Sequence, residues 1–518
     1  MAAVAVLTDV PLTWLQATLR PVSDHPIAVI DIGSNSGRVV VVRVSSDGHL
    51  QIVADERASL RLARDVGEHG RLGGEALDRT VLALEDFLAV ARGAGAAQTV
   101  AVATAAVREA EDCDAFVDAV HDRTGLDIEV IDGEQEAAYA FLGAVHGLPV
   151  EDGLLFDIGG GSLEVTRFAE RELRQAWTFP LGALRLSDEF LRTDPPTQGE
   201  RDALARHVRK ALRGAGIGPL DDGEQVVGTG GTVRNLARMD ARRHRSFLPH
   251  LHGYRVSAEG LAVQAERLGA RDLARRRSMS GLNSDRADSI VGGATAVRAI
   301  LDLARAQDLL VSGQGLREGV ALTALGLSTS SPPAVRRASV ASLCERFGTW
   351  QEERARRRTL VVERLAADLD PEAEAEQVEM LAHAATVLDV GRAVDFYERY
   401  GHAARTVIAA DLIGFSHRHL ALLAATFLAG AGERIPDAAR AELPKRDLAW
   451  AAKAGVILAL ADEVEARTRP GEQVAISCRI RARTWVLTAP ALAAWQPRAV
   501  ADRFRRAFRR RLVIEGRP

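Results

Sequence analysis

The chain has 518 residues, 47% of them hydrophobic and 26% charged, with a formal net charge of −4 at pH 7. That length exceeds a single hydrophobic core and predicts three or four domains, while the balanced charge gives no general pull towards nucleic acid or a membrane surface. Cys113, Cys344 and Cys478 lie too far apart for metal-ligand or disulfide spacing, no apolar run is long enough to span a bilayer, and the first 24 residues lack a secretory pattern, so a cytoplasmic protein with reduced thiols is expected.

Residues 1–24 read as an N-terminal extension. From Pro26 the β-type runs IAVIDI, RVVVVRV and QIVADERA are separated by turn residues. A helix is predicted at about 75–93, a strand at 99–104, a helix near 112–124, a strand at 128–131 and a helix at about 134–146. The scheme then restarts with strands at 153–158, 162–168 and 171–179 and helices at about 181–192 and 197–213. The strand QVVGT runs into Gly-rich GTGGT at 228–232, which opens a helix. Helices at 257–277 and 285–304, the strand DLLVS at 308–312 and a helix from Leu316 follow. Strands alternating with helices predict an α/β class with mixed sheets. STSSPPAV at 328–335 is a linker by composition. Beyond it, Ala/Leu faces alternating with Arg/Glu faces predict amphipathic helices to about residue 468. After TRPGEQ the pattern returns to short strands around one helix. RFRRAFRRR at 503–511 is read as the solvated face of a helix that buries its phenylalanines.

The most informative feature is a repeat. AVIDIGSNSGRVVVVRV at 28–44 and LLFDIGGGSLEVTRFA at 154–169 share a short apolar run, Asp-Ile-Gly, small residues closing on Ser, and a second β-like run. Each predicts a strand, a tight turn and a strand, and the duplication predicts a duplicated fold. Glycine admits positive φ and close backbone approach, and successive peptide N–H groups in such a turn hold anionic oxygen. Two such turns facing each other would grip a polyphosphate from both sides.

Phosphoryl chemistry needs a cradle for non-reacting phosphates, positive charge, usually a metal, and a carboxylate that orients water. The candidate cradles are Gly33, Ser34, Asn35 and Ser36; Gly159, Gly160, Gly161 and Ser162; and Gly230, Gly231 and Thr232. Asp31 and Asp157, at strand ends beside two cradles, could hold Mg²⁺ directly or through water. Glu164 shares a strand face with Ser162. Glu136 opens a helix beside Asp132 and Glu134, whose charges would raise its pKa towards a useful base. Arg108 could offer a planar donor fork to phosphate. Each has an ordinary alternative: turn-capping aspartates, a solvated helix glutamate, an ion-pairing arginine. The local sequence leaves the roles of Glu136 and Arg108 open. No G-x-x-x-x-G-K-[ST] run is present, which excludes the nucleotide-binding P-loop.

Together with ATAAVREAED, IDGEQEAAYAFLG, FPLGALRLSDEF, VVGTGGTVRNLA, RADSIVGGATAV and LREGVAL, these stretches resemble the exopolyphosphatase / guanosine pentaphosphate phosphohydrolase family, in family order over roughly residues 26–325. The resemblance implies two actin-like (ribonuclease H-like) lobes, at 25–145 and 146–330, with the active site in the cleft between them. It puts the water-activating glutamate on Glu136, the phosphate-binding arginine on Arg108, the metal-associated carboxylates on Asp157 and Glu164, and the phosphate loops on 33–36 and 159–162. The expected activity is hydrolysis of terminal phosphate from inorganic polyphosphate with Mg²⁺ or another divalent cation. The alternatives are 5′-phosphohydrolysis of guanosine pentaphosphate and, in another class, a non-hydrolysing polyphosphate or alarmone sensor. The expected partners are the phosphate substrate and a second copy in a homodimer, with no nucleic acid and no membrane.

Two departures from the family pattern stand out. In SGQGLREG at 312–319, Gly313 replaces the usual Asp, although Arg317 and Glu318 remain. Residues 331–470 resemble an all-α HD-like domain, but Leu388-Asp389 stands where a His-Asp pair belongs, so a working metal centre is not expected there. His383 and His402 are read as structural. Residues 471–518 are expected to form a small α/β cap. The arginines at 335–468 are expected to attract a long polyanion.

Overall fold

β-branched runs broken by small turn residues form the strands their alternation predicts. The computed structural model describes residues 25–44, 49–348, 350–472, 474–481, 484–495 and 498–515, and the expected extension at 1–24 lies outside them. The first series is β1 (Ile27–Ile32), β2 (Ser36–Val44), β3 (Leu50–Ser59), α1 (Leu62–His69), α2 (Gly73–Gly93), β4 (Gln98–Ala103), the single turn α3 (Ala105–Arg108), α4 (Cys113–Thr124), β5 (Ile128–Val130) and α5 (Gly133–His146). The second begins with β6 (Gly153–Ile158), β7 (Leu163–Ala169), β8 (Glu172–Phe179), α6 (Ala183–Phe190), α7 (Gln198–Gly214) and β9 (Gln225–Thr229). It continues through α8 (Gly230–His244), β10 (Arg255–Ser257), α9 (Ala258–Gly269), α10 (Leu273–Arg277), α11 (Ile290–Ala304), β11 (Asp308–Val311) and α12 (Leu316–Ala324).

The sequence repeat is a structural one. The sheets run β3-β2-β1-β4-β5 and β10-β11-β9-β6-β7-β8. In each, three antiparallel strands lead, and the first of them pairs in parallel with a later strand: β1 with β4, and β6 with β9. Asp31 stands opposite Arg38, and Asp157 opposite Glu164. The matched aspartates therefore occupy the same register, one residue before the end of the strand.

Some helices differ from expectation. The predicted helix 257–277 divides into α9 and α10 because the Asp272 carboxylate caps a fresh start, accepting the Arg275 N–H at 2.8 Å. The helix predicted from 285 begins at Ile290, after a short 3₁₀ turn at Ser284–Arg286. α1 was not expected; its start is set by tertiary contact, as described below.

α5 and α12 cross in backbone contact. A Cβ on Gly143 would collide with the Gly315 carbonyl and the Gly319 nitrogen, and one on Gly319 with the Tyr139 carbonyl. Although α12 follows the second sheet in sequence, its Val320, Ala321 and Leu322 pack with Val29 and Val40 of the first. Phe141, Ala144 and Val145 of α5 pack with Leu155, Phe168 and Val227 of the second. This exchange brings the start of α12 beside the C-terminal half of α5.

The chain forms two compact units. One runs to Arg245 and from His250 to Val335; the other holds Ser246–Pro249 and everything from Arg336 on. The second unit contains most of α13 (Pro332–Glu345), then α14 (Glu352–Leu369), α15 (Ala375–Arg392), α16 (Arg399–Ala409), α17 (His417–Ala431), α18 (Asp437–Ala441) and α19 (Lys445–Glu465). It ends in β12 (Ser477–Arg481), β13 (Thr484–Thr488), α20 (Arg498–Phe508) and β14 (Arg511–Glu515), a three-stranded sheet and one helix. Trp485, Leu487 and Phe504 share one core with Leu388 and Leu423, so the terminal segment is packed into the helical part. On α20, Phe504 is buried and stacks on Phe508 at 4.6 Å, while Arg505 and Arg506 face solvent, as the pattern predicts.

Leu388 lies in this core. Asp389 is buried against Arg358, which is 0% exposed, at 3.0 Å. Arg358 also faces Asp462 at 3.4 Å, and Arg392 and Arg399 close on Asp462 at 2.7 and 2.9 Å. Asp389 thus holds a guanidinium. His383 is buried, near Glu379 at 3.3 Å and edge-on to Phe415, and its pKa is lowered by burial. His402 lies beside Arg405 at 3.2 Å. The arginines expected to attract a polyanion are largely committed within their own unit: Arg336 to Glu379, Arg354 and Arg357 to Glu465, Arg418 to Asp447, and Arg446 to Glu374.

Candidate active site

The two Asp-Ile-Gly turns are braced in the same way. In the first, the Asn35 carbonyl accepts the Leu60 and Arg61 N–H groups and the Ser34 carbonyl accepts that of Ala63, which sets the start of α1. In the second, the Gly159, Gly160 and Gly161 carbonyls accept the N–H groups of Ala183, Leu184 and Gly182, at the start of α6. The Gly159 N–H closes the second turn on the Ser162 carbonyl at 3.0 Å, and further N–H groups of such turns can face an anionic oxygen.

Neither Gly33 nor Gly159 has positive φ. The glycines serve close approach: a Cβ on Gly160 would lie 3.2 Å from Leu184, 3.3 Å from Asn35 and 3.4 Å from Ser34, and one on Gly161 3.0 Å from the Ser34 hydroxyl. The two loops therefore meet. In the third cradle Gly230 does need positive φ, at 90°, and its missing Cβ makes room for the Asp157 carboxylate. A Cβ on Gly231 would strike the Arg286 guanidinium.

These loops wall a cavity of about 110 Å³. Of the residues the sequence singled out, Asp31, Gly33, Ser34, Asn35, Ser36, Glu136, Asp157, Gly159, Gly160, Ser162, Glu164, Gly230 and Gly231 line it, as do Arg317 and Glu318. Three do not. Gly161 faces Ser34 and Ala105. Thr232 is buried, with its methyl against Gly293 of α11, and Thr229 lines the cavity in its place. Arg108 lies behind Glu136: its Nη1 donates to the Ile131 carbonyl at 2.7 Å and to Glu136 Oε2 at 3.3 Å. Its guanidinium is thus placed against the Glu136 carboxylate.

Three arginines went unnoticed in the sequence: Arg38 on β2, Arg234 on α8, and Arg286. With Arg317 they make four guanidinium groups around one cavity. Arg317 is anchored by Asp55 at 2.8 Å. Burial and the neighbouring Arg234 and Arg317 pull the Arg38 pKa down to about 9, and burial with Arg57 and Arg234 pulls that of Arg286 to about 10. A polyanion would relieve this crowding of like charge. Arg38 lies two residues past Ser36 on the same strand face, and Arg234 two residues past GTGGT, but nothing in the sequence distinguishes them from other arginines.

Facing these cations are Asp31, Glu136, Asp157 and Glu164. Burial raises the Asp31 pKa to about 6 against the lowering effects of Arg317 and Arg38. Burial raises Glu136 to about 8; Arg108 opposes the rise, while Asp157 and Asp31 add to it. Glu164 is raised well above its ordinary value by burial, Glu136 and Asp157. Asp132 and Glu134 are not what perturbs Glu136. The Asp132 carboxylate caps α5, accepting the Glu134 and Gln135 N–H groups at 2.8 Å.

Asp31 Oδ1 and Glu164 Oε1 are buried and have no hydrogen-bond partner. Orphaned carboxylate oxygens fit a cation. Among the described residues, however, no three His, Cys, Asp or Glu side chains are grouped as a metal cage. An ion here would take much of its coordination from water and substrate oxygens, as Mg²⁺ commonly does. Gly313 lies outside the cavity lining; its carbonyl accepts from Arg234 at 3.4 Å.

The model of the Ppx/GppA phosphatase family matches residues 40–327. Exopolyphosphatase 1 of Mycobacterium tuberculosis is 30% identical over 322 residues, 61% of this chain and 92% of that protein. Exopolyphosphatase 2 of the same organism is 31% identical over 315 residues, 58% and 98% respectively. Among solved structures, an exopolyphosphatase from Cytophaga hutchinsonii superposes with a TM-score of 0.54 at 27% identity, covering 59% of this chain and all of the other. The Aquifex aeolicus member of the Ppx/GppA family gives 0.51 at 29%, covering 58% and 97%.

Proposed function

The chain belongs to the Ppx/GppA phosphatase family, and from that premise we propose that it hydrolyses the terminal phosphate of inorganic polyphosphate in the cavity walled by its two Asp-Ile-Gly turns. The observation that carries this reading is Glu136. Its pKa of about 8 gives a carboxyl group basic enough to take a proton from water near neutral pH, and it stands among four arginines and two anion-binding turns.

In this reading the turns and the arginines hold the non-reacting phosphates. Water attacks the terminal phosphorus, its proton passes to Glu136, and the phosphoanhydride bond breaks. The shortened chain leaves as an anion stabilised by the arginines. Arg108 acts as a positioning residue that fixes the Glu136 carboxylate. Asp31, Asp157 and Glu164 would hold a divalent cation, which when bound neutralises charge developing on the phosphoryl oxygens.

The lining favours polyphosphate over a nucleotide. Among the described residues that wall the cavity, Leu316 is the one aliphatic hydrophobe, and none is aromatic. A guanine base needs an apolar or stacking surface; a phosphate chain needs only N–H groups and cations. The test is phosphate release from long-chain polyphosphate and from guanosine pentaphosphate, side by side with Mg²⁺. The expected result is faster turnover of polyphosphate. Release from the pentaphosphate alone, or from neither, overturns the proposal.

A further inference from the structure

α8 begins in the third cradle, and its exposed face continues beyond it. Thr232, Val233, Asn235, Leu236, Ala237 and Met239 are buried, whereas Arg234 and Arg238 are half-buried and Arg242 is exposed. The i, i+4, i+8 spacing puts the three arginines on one stripe spanning about 12 Å of helix. They are close enough to disfavour one another's charge: Arg238 acts on Arg234, and Arg242 on Arg238.

At its far end the stripe reaches a second cavity of about 530 Å³, lined by Arg242, Arg243, Arg267 and Arg271 with Arg275 and Ser280. Its acidic wall residue, Asp240, is already occupied by the Tyr254 hydroxyl at 2.8 Å and by His244 at 3.2 Å. Among the described residues, Arg238, Arg242, Arg243 and Arg267 have no carboxylate partner. Arg336, Arg354, Arg357 and Arg418 of the second unit, by contrast, each meet a carboxylate. Like charges aligned without counter-charge destabilise the bare protein and are relieved by a bound polyanion.

We propose that the arginine face of α8, with the cavity at its C-terminal end, is a second phosphate-binding surface. It takes the chain phosphates of a polyphosphate whose terminal phosphate lies in the active site. The inference rests on the polyphosphate reading above and adds to it a source of chain-length preference: a substrate too short to leave the cavity cannot reach Arg238 or Arg242.

The test uses the full chain carrying Arg238→Glu and Arg242→Glu. Binding of long-chain inorganic polyphosphate is measured in the presence of a chelator, so that it does not depend on hydrolysis. Phosphate release from tripolyphosphate is measured separately. Long-chain affinity should fall about tenfold or more, and the slope of log affinity against log salt should shrink by about 2 as two contacts are lost. Tripolyphosphate kcat/KM should stay unchanged. Arg238→Lys with Arg242→Lys should restore most of the affinity. Because Arg238 is half-buried, Arg242→Glu with Arg267→Glu, both on the exposed rim, serves as a second variant and should weaken binding in the same direction. Unchanged long-chain affinity in the folded variants, or an equal loss of tripolyphosphate turnover, overturns the proposal. Failure of the wild type to hydrolyse any polyphosphate would sink the hydrolase reading, while the binding measurement would still judge the surface.

Discussion

Arg108→Ala should move the pH–rate profile of this enzyme as well as lower it. Burial drives the Glu136 pKa up, and the Arg108 guanidinium 3.3 Å away is the main influence holding it down, at about 8. A general base must be ionised, so kcat/KM should rise about tenfold per pH unit below pH 8 and level off above it. At pH 7 about a tenth of the carboxyl groups are ionised. A close opposite charge is worth roughly 1–3 pH units, so without Arg108 the ionised fraction at pH 7 falls by a further factor of about 10 to 1,000. The deficit should shrink as pH rises. Arg108→Lys keeps the charge on a differently shaped head group, and should shift the profile less. The assay is initial phosphate release from polyphosphate between about pH 5.5 and 9.5 at constant ionic strength, analysed as kcat/KM because that ratio reports the free enzyme. A loss of equal size at every pH, with the limb unmoved, would refute the clamp and return Arg108 to direct phosphate binding.

Glu136→Gln should lower kcat by about 10²–10⁴ with polyphosphate binding retained, and wild-type phosphate release by the variant would remove Glu136 as the base. The same variant should melt above the parent at pH 8.5 and close to it near pH 4. A carboxyl whose pKa rises from 4.5 to about 8 on folding holds its proton more tightly in the native state, so the parent loses stability as pH climbs through that window. Gly160→Val should raise KM roughly tenfold, about 1.4 kcal/mol of binding, because the new side chain pushes Asn35 and Ser34 away; an unchanged KM in a folded variant would show that the loops need not meet. Arg358→Met leaves Asp389 and Asp462 buried without their central cation, and should cost about 3–5 kcal/mol in urea unfolding. Phosphate release per folded molecule should stay the same, and an unaltered unfolding midpoint would contradict the network.

The sequence alone determined what depends on near neighbours in the chain. Strand, turn and strand around Asp31 and Asp157 were legible because the alternation and the small turn residues are local, and the repetition of the pattern foretold a duplicated fold; the sixth strand of the second sheet, β10, has no counterpart in the first. Only the tertiary structure decided what depends on distance in space. Arg38, Arg234 and Arg286 come from three separate elements, and in a chain with only three lysines an arginine carries little signal of its own. The reading of Glu136 had the right direction and the wrong cause. Asp132 and Glu134 are adjacent in sequence, but Asp132 is committed to capping α5, and the shift comes from burial together with Asp157 and Asp31. Likewise, nothing near Asp389 announces Arg358, thirty-one residues away, as its partner. Desolvation and Coulomb energy are set by what surrounds a group after the chain has folded, so a sequence can nominate the charged residues of a site while the fold assigns their pKa values and partners.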